Sequence, residues 1–162
     1  MTVNAIRFVS LLLTSLVVGT MFGVWLGFNP AALSATAYVE MQQNAIRALN
    51  VSLPVLGFVC ILLTATLSGL TNNDKRGRYL LVAAVICLAT AGLITRFGNQ
   101  PINAVVMTWS PHSPPANWTE LRDTWWHWHV LRTLAGVVAL SLALLAALSG
   151  HRSTSLSSRG DR

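Results

Sequence analysis

The stretch NWTELRDTWWHWHVLRTLAGVVALSLALLAALSG, residues 117–150, decides the fold. Its first half is polar and rich in tryptophan, whereas its second half is mostly apolar. No proline interrupts it, and Asn117 with Glu120 three residues later forms a variant of the capping box that starts helices. The pattern predicts one helix that begins at a polar surface and continues into a membrane as a span over residues 130–150.

Three further apolar runs, at residues 6–28, 53–70 and 79–97, precede this helix. Each has close to the roughly 20 residues that a helix needs to cross a bilayer. A hydrophobic fraction of 53% and a mean hydropathy of +0.56 agree with an integral membrane protein. Because backbone amides find no water partner in lipid, the runs are predicted to be helices. We expect an all-α, antiparallel four-transmembrane-helix bundle, built by one domain over residues 1–150.

Positive charge is concentrated in the link at residues 71–78 and in the tail at residues 151–162. Cytoplasmic segments are enriched in Lys and Arg, so we expect both chain termini on the cytoplasmic side of a plasma or inner membrane. This placement accounts for the net charge of +6 without a nucleic-acid partner. The tail is rich in serine and has no hydrophobic periodicity, so it is predicted to be disordered.

Two longer segments then lie on the outer side. In the first, residues 31–49 contain no helix breaker and predict an additional amphipathic helix. Glu40, Gln43 and Arg47 fall on one face of this helix. A second, mixed face carries Gln42 among apolar residues.

The second outer segment begins at residue 95 and is predicted to be a loop. Asn99 and Asn103 flank a proline there, and they either satisfy loop backbone or bind a substrate oxygen. Turns are expected at Gly98, Pro101, Pro111, Pro114 and Pro115.

Ionisable and aromatic residues recur on one stripe of the last helix, at Arg122, Trp125, Trp126, His129 and Arg132. His129 lies near the membrane interface, where an ionisable side chain is a functional candidate, although a histidine can also serve a purely structural hydrogen bond. The flanking arginines favour its neutral form. We therefore expect His129 to act as a general base.

The tryptophans allow two interpretations. Indoles commonly anchor helices at the membrane interface, and this is the interpretation we favour for Trp118 and Trp128. Trp125 and Trp126 are also candidates for lining a pocket, where their rings would suit a flat aromatic ligand.

Glu40 is the single acidic residue of the first outer segment. It either pairs with Arg47 at the surface or points inward, where it would join His129 and Arg122 in catalysis. A metal ion bound by Glu40 and His129, with Asp123 as a further ligand, is an alternative that no spacing motif supports. No cofactor is therefore predicted.

Four stretches resemble the anthrone oxygenase-like family of small four-helix membrane proteins. They are GVWLGFNP (residues 23–30), YVEMQQNAIRALN (38–50), TRFGNQPINAVVMTW (95–109) and PPANWTELRDTWWHWHVLRT (114–133). The resemblance extends over residues 10–148, nearly the whole chain. The combination of GNxPIN, a W-x-x-x-R-x-x-W block and H-x-x-R makes it specific.

The resemblance implies that the protein oxygenates an anthrone, or a similar lipophilic aromatic or quinone-like molecule, in a pocket at the outer membrane face. An anthrone has an acidic benzylic hydrogen, and its carbanion is electron-rich enough to react with O₂ without a metal. For this chemistry, the resemblance implies that His129 removes the proton and Arg122 stabilises the developing oxyanion, and His129, Arg122 and Glu40 are the predicted catalytic residues. The predicted substrate-binding residues, from the family pattern and the stripe together, are Tyr38, Gln43, Arg47, Asn99, Asn103, Trp109, Trp125, Trp126 and Arg132.

Two other function classes stay open. The protein could bind or transport a small amphiphile without chemistry, or it could be an accessory subunit of a membrane complex. The expected partners are the lipid bilayer and a lipophilic small molecule, and the sequence does not decide between a monomer and a homo-oligomer.

Overall fold

The computed structural model describes residues 3–71 and 74–157, with side chains described as far as residue 149. All regular secondary structure in these residues is helical. The helices are α1 (Val3–Gly27), α2 (Ala35–Leu49), α3 (Ser52–Leu70), α4 (Lys75–Ile94), α5 (Gln100–Val106) and α6 (Trp118–Ser157). A 3₁₀ turn at Pro30–Ala32 lies between α1 and α2, and a π-helical segment at Thr95–Asn99 joins α4 to α5.

Four helical stretches of the described residues are long and apolar enough to cross a membrane, which confirms the predicted number of spans. Helices α1 and α4 each contact both α3 and α6, so the four long helices form a bundle. Apolar side chains such as Phe8, Leu16 and Ile86 are exposed on the outside of the bundle, where lipid would surround them. The stretches are Val3–Ala32, Ser52–Leu70, Lys75–Val106 and Trp118–Ser149.

The turns predicted at Gly98 and Pro101 are wrong, because the third membrane-length helix continues through both residues. Pro101 has no N–H and would interrupt an ordinary α-helix. It stands at the start of α5, where a missing donor is tolerated, and the π-helical segment before it lets the N–H of Gln100 donate to the Thr95 carbonyl. The predicted loop is therefore confined to residues 107–117, which contain the other three prolines.

Gly98 allows the π-helical segment to lie directly against α6. A Cβ atom added at Gly98 would come within 2.7 Å of ring carbons of Trp128. This close approach carries Asn99 and Asn103, which follow on the same helix, into the interior rather than into a loop. The contact thus decides where two predicted site residues lie.

Helix α2 begins at Ala35, later than predicted, because Asn29 and Pro30 form a turn and Ser34 caps the helix by accepting from the N–H of Ala37. The helix contacts α3 and α5. Its buried residues are Tyr38, Val39, Gln42, Gln43 and Ile46. The mixed face predicted from the sequence, with Gln42, therefore points into the protein.

Helix α6 begins at Trp118, directly after the predicted cap, and runs as one helix through the fourth span, as expected. It extends to Ser157, into the first residues of the tail that was predicted to be disordered. The end of that tail, residues 158–162, lies outside the described residues.

Candidate functional site

His129 is fully buried, and both of its ring nitrogens have hydrogen-bond partners. Nδ1 lies 2.9 Å from Nη2 and 3.3 Å from Nε of Arg132. Because a guanidinium group can only donate, Nδ1 must be the acceptor and carries no proton. The proton is then on Nε2, which donates to the Met21 carbonyl at 3.1 Å. His129 is thus held as a neutral imidazole with one defined tautomer.

Two tryptophans enclose the imidazole of His129. The ring of Trp125 stacks on it with a centroid distance of 5.1 Å, and that of Trp126 with a distance of 5.5 Å. The guanidinium carbon of Arg132 lies 5.9 Å from the centre of the Trp125 ring. Four of the five residues of the predicted stripe therefore pack together, namely Trp125, Trp126, His129 and Arg132.

Arg132 is a charged side chain at membrane depth without an acidic partner in the described part of the chain, where the ion pair present joins Arg122 to Asp123. Its Nη1 donates to the hydroxyl of Thr95 at 3.4 Å, and its Nε and Nη2 donate to His129. Holding an arginine inside a membrane protein is unfavourable and commonly marks a site of function. An anionic or oxygen-rich ligand would supply further hydrogen-bond acceptors for the guanidinium group of Arg132.

A cavity of about 230 Å³ lies beside Arg132, and we call it the apolar cavity. Its walls come from α1, α3, α4 and the π-helical segment, and are apolar except near Thr95, Arg96, Gln100 and Arg132. Gly57 and Gly92 line this cavity, and a Cβ at either would meet nothing within 4 Å. Here the small residues leave space between helices instead of closing it.

A second cavity, of about 60 Å³, also borders Arg132, and we call it the inner cavity. It shares Met21, Leu53, Pro54, Thr95 and Arg132 with the apolar cavity, so the two adjoin. Its polar lining further includes Gln42, Asn50, Asn103 and His129. Helix α2 forms part of the wall of the inner cavity.

Gln42 reaches the inner cavity from α2 with only 1% of its surface exposed. Neither its amide oxygen nor its amide nitrogen has a hydrogen-bond partner in the described residues. A buried amide without partners is unfavourable by about 1–3 kcal/mol. Sequence reasoning did not select Gln42 as a site residue, although its position on the mixed face was the available signal.

The predicted substrate-binding asparagines belong to a hydrogen-bond network between helices. Asn103 accepts from Nε1 of Trp125 at 2.8 Å and donates to the side-chain oxygen of Asn50 at 2.8 Å. Asn99 donates to the Trp125 carbonyl at 3.0 Å. Asn103 lines the inner cavity, whereas Asn99 lines neither of the two cavities beside Arg132. Both asparagines hold Trp125 in place.

Gln43, Arg47 and Trp109 lie together at the contact between α2 and the end of α5. The amide nitrogen of Gln43 donates to the carbonyls of Val106 and Trp109, at 3.0 and 2.9 Å. Its oxygen accepts from Arg47, which is exposed. None of the three lines either cavity, so their observed contacts stabilise the fold.

Arg122 and Tyr38 form a separate cluster near the start of α6. Arg122 contacts Asp123 at 2.8 Å and lies 5.0 Å from the ring centre of Trp118, which is 5.7 Å from the Tyr38 ring. Burial raises the pKa of Tyr38, and the charge of Arg122 acts in the opposite direction. The Tyr38 hydroxyl has no partner among the described groups. Neither Arg122 nor Tyr38 lines the cavities beside Arg132.

Glu40 is exposed on α2, while His129 is fully buried. Asp123 is exposed as well. In the described residues, no three His, Cys, Asp or Glu side chains are grouped as a metal site would require. The geometry thus leaves Glu40 outside the group formed by His129 and Arg132.

The fold and the site define a multi-pass membrane protein with an apolar cavity bordered by a half-buried arginine, which contacts a buried histidine. Within this class, the family model described as anthrone oxygenase matches residues 41–142, more than half of the chain. The chain belongs to the anthrone oxygenase family, as the resemblance predicted. No match was found among curated proteins or among solved structures.

Proposed function

We propose that the protein is a membrane oxygenase that binds a lipophilic aromatic molecule of the anthrone type in the apolar cavity. Membership in the anthrone oxygenase family supports this class of reaction. The assignment of the site depends on the position of Arg132. This residue borders both cavities and has no acidic partner in the described residues. In this arrangement its guanidinium group would bind the oxygen at the polar edge of the ring system.

The apolar cavity suits a small, rigid ring system. Its volume of about 230 Å³ is close to the lower end of typical ligand pockets, roughly 300 Å³. Its lining consists largely of aliphatic side chains, glycines and Phe58. A hydrocarbon ring system dissolved in the bilayer would move into this cavity at little cost in free energy, because both surroundings are apolar.

The proposed reaction starts with removal of the benzylic proton. The C–H bond breaks, its electron pair stays on the ring as an enolate, and Arg132 stabilises the oxyanion. When the substrate binds, Arg132 turns toward its keto oxygen and releases Nδ1 of His129, which accepts the proton as the C–H bond breaks. His129 is therefore the proposed base and Arg132 replaces Arg122 as the proposed oxyanion partner.

The enolate then reacts with O₂, which is the second substrate. Oxygen receives the electrons, a C–O bond forms, and the proton held by His129 completes a ring hydroperoxide. The O–O bond of the hydroperoxide breaks as the second benzylic proton leaves. The products are a keto group and one molecule of water. Each turnover therefore consumes one methylene group and one O₂.

For the membrane arrangement, we propose that the four spans alternate in direction, with both termini in the cytoplasm and α2 at the outer face. The positive residues Lys75, Arg76 and Arg78 at the start of α4 support this orientation. Both cavities adjoin the ends of α1, α3 and α4 nearest to α2. The substrate site is thus proposed to lie on the outer half of the bilayer.

Oxygen uptake by the purified protein in lipid nanodiscs, with an anthrone as substrate, tests the proposal. We expect equal consumption of O₂ and anthrone, and a loss of roughly 100- to 1,000-fold in Arg132→Gln. Arg78→Gln, an exposed arginine at the start of α4, serves as the matched control and should keep the wild-type rate. Equal rates in wild type and Arg132→Gln would contradict the proposed site.

A second candidate is binding or transport of the same kind of molecule without chemistry. It is favoured by one observation, that both ring nitrogens of His129 already have protein partners. Saturable binding that depends on Arg132, together with no oxygen uptake, would support this candidate over the oxygenase. Absence of both would favour the accessory-subunit class.

A further inference from the structure

One side of the apolar cavity reaches the outside of the helix bundle. The residues that α1 contributes to its wall, Val17 and Met21, are buried. The exposed members of the lining are Phe58 on α3, Gly92 on α4 and Arg96 on the π-helical segment. The cavity therefore opens between α3 and α4, and we call this opening the side portal.

The side portal lies at the level of the lipid acyl chains. Arg96 is about one membrane thickness from Lys75 along the same membrane-length stretch, at ~1.5 Å per residue, so it stands at the polar surface on the α2 side. Gly92 precedes Arg96 by one helical turn on the same face. Phe58 lies within α3, which is itself a membrane-length helix. The portal is therefore surrounded by hydrocarbon rather than by water.

The portal combines free space between the helices with one large aromatic ring at its mouth. A Cβ atom at Gly57 or Gly92 would meet nothing within 4 Å, so α3 and α4 leave a gap at this level. Phe58 lines the cavity and is 60% exposed, so its ring stands between the cavity and the lipid. A change of its side-chain rotamer would widen the opening without a movement of either helix.

The route from the aqueous side is narrower. There the apolar cavity continues into the inner cavity, whose volume of about 60 Å³ is too small to pass a ring system. Gln42 and Ile46 of α2 and Asn103 of α5 line this passage, and each is at most 8% exposed. The structure thus favours exchange of a ring-shaped ligand with the lipid over exchange with water.

We propose that the ligand enters and leaves the apolar cavity sideways from the bilayer, through the side portal, and that Phe58 is the gate. This inference rests on the proposed function, because it takes the apolar cavity as the ligand site. It adds the source of the ligand, which is the pool of ring molecules dissolved in the leaflet on the α2 side. The protein thus takes its substrate from the membrane and returns the product to it.

Competition by two modified anthraquinones tests the route, with the protein in lipid nanodiscs and anthraquinone as the reference ligand. One probe carries a hexadecyl chain on an end ring, and the other carries an oligo(ethylene glycol) chain of the same length. Through the portal, the hexadecyl chain extends into the bilayer, so this probe should compete as well as unmodified anthraquinone at equal mole fraction in lipid. The ethylene glycol chain would have to cross hydrocarbon, so its probe should compete about tenfold less well. The reverse order would overturn the inference, because the cavity would then open to water.

Rates of ligand exchange test the gate. Binding is followed by the saturable quenching of tryptophan fluorescence by anthraquinone, since Trp125 borders the adjoining inner cavity. Phe58→Ala removes the gate, so the association and dissociation rate constants should both rise about tenfold, while the dissociation constant stays unchanged.

The matched control is Phe97→Ala, which also removes an exposed ring. Phe97 is 73% exposed and lines neither the apolar nor the inner cavity, so this variant should keep both wild-type rate constants. A weaker affinity of Phe58→Ala with an unchanged association rate would overturn the inference. Phe58 would then be part of the wall of the site and not a gate.

The outcomes separate the inference from the proposed function. If an anthrone is oxygenated and anthraquinone binds saturably, but the hexadecyl probe does not compete, the inference fails while the proposed function stands. If anthraquinone does not bind, the proposed ligand site fails and the portal fails with it. Competition by the hexadecyl probe, together with equal increases of both rate constants in Phe58→Ala, supports the portal and the ligand site.

Discussion

Two regions of the molecule contain buried polar side chains, and they differ in whether these side chains have partners within the protein. Where α2 meets α5, Gln43 has partners for both ends of its amide. At the inner cavity, Gln42 has none among the described residues, and Arg132 has no acidic partner there. Satisfied polar groups fix how helices pack, whereas unsatisfied ones beside open space indicate a place where a ligand completes the interactions.

The largest effect is expected at the open side of this comparison, from His129→Ala. The substitution removes the proposed base and the acceptor that orients Arg132. Oxygen uptake with an anthrone should fall roughly 100- to 10,000-fold. His127→Ala, an exposed histidine on the same helix, is the matched control and should keep the wild-type rate.

His129→Gln sharpens the same prediction. The glutamine oxygen can accept from Arg132, so the variant should keep anthrone binding while oxygen uptake stays as low as in His129→Ala. If His129→Gln consumes oxygen at the wild-type rate, His129 only positions Arg132 and is not the base.

An intermediate effect is expected at the packed side, from Gly98→Ala. The added methyl group would meet ring carbons of Trp128 at 2.7 Å, so the π-helical segment and α6 must move apart. We expect a loss of about 1–3 kcal/mol of stability, measured by thermal unfolding in detergent. Gly19→Ala, where nothing lies within 4 Å of the new Cβ, should not destabilise the protein. A stability of Gly98→Ala at or above that of wild type would show that the close packing is not needed.

The smallest effect is expected from Gly92→Leu, which extends a side chain into the apolar cavity without a clash at Cβ. Anthrone binding should weaken about tenfold, equivalent to 1.4 kcal/mol, with little change in the unfolding temperature. Calorimetry measures the binding, and Gly19→Leu, outside both cavities, is the control. Unchanged affinity in Gly92→Leu would place the ligand elsewhere.

The four membrane-length helices were predictable because length and hydropathy determine them. The stripe on α6 was also predictable, since helical periodicity alone places His129 and Arg132 near each other. These features depend on one segment at a time. They needed no knowledge of what each helix contacts.

The π-helical continuation and the orientation of α2 could not be predicted in the same way. Local signals at Gly98 and Pro101 favour turns, and only the packing of Gly98 against Trp128 shows why a helix forms there instead. For α2, periodicity gave two candidate faces and chemistry favoured the one with Glu40. Contacts with α3 and α5 bury the other face, with Gln42, and leave Glu40 exposed, and the sequence of α2 does not show these contacts.

The most direct test of the central claim is the absorbance of a hydroxylated anthraquinone, a product-like ring system, bound to the protein at neutral pH. If Arg132 stabilises an oxyanion in the cavity, the bound molecule should show the red-shifted spectrum of its anion in wild type. In Arg132→Gln the spectrum should return to that of the neutral molecule. The same neutral spectrum in wild type and in Arg132→Gln would contradict the account.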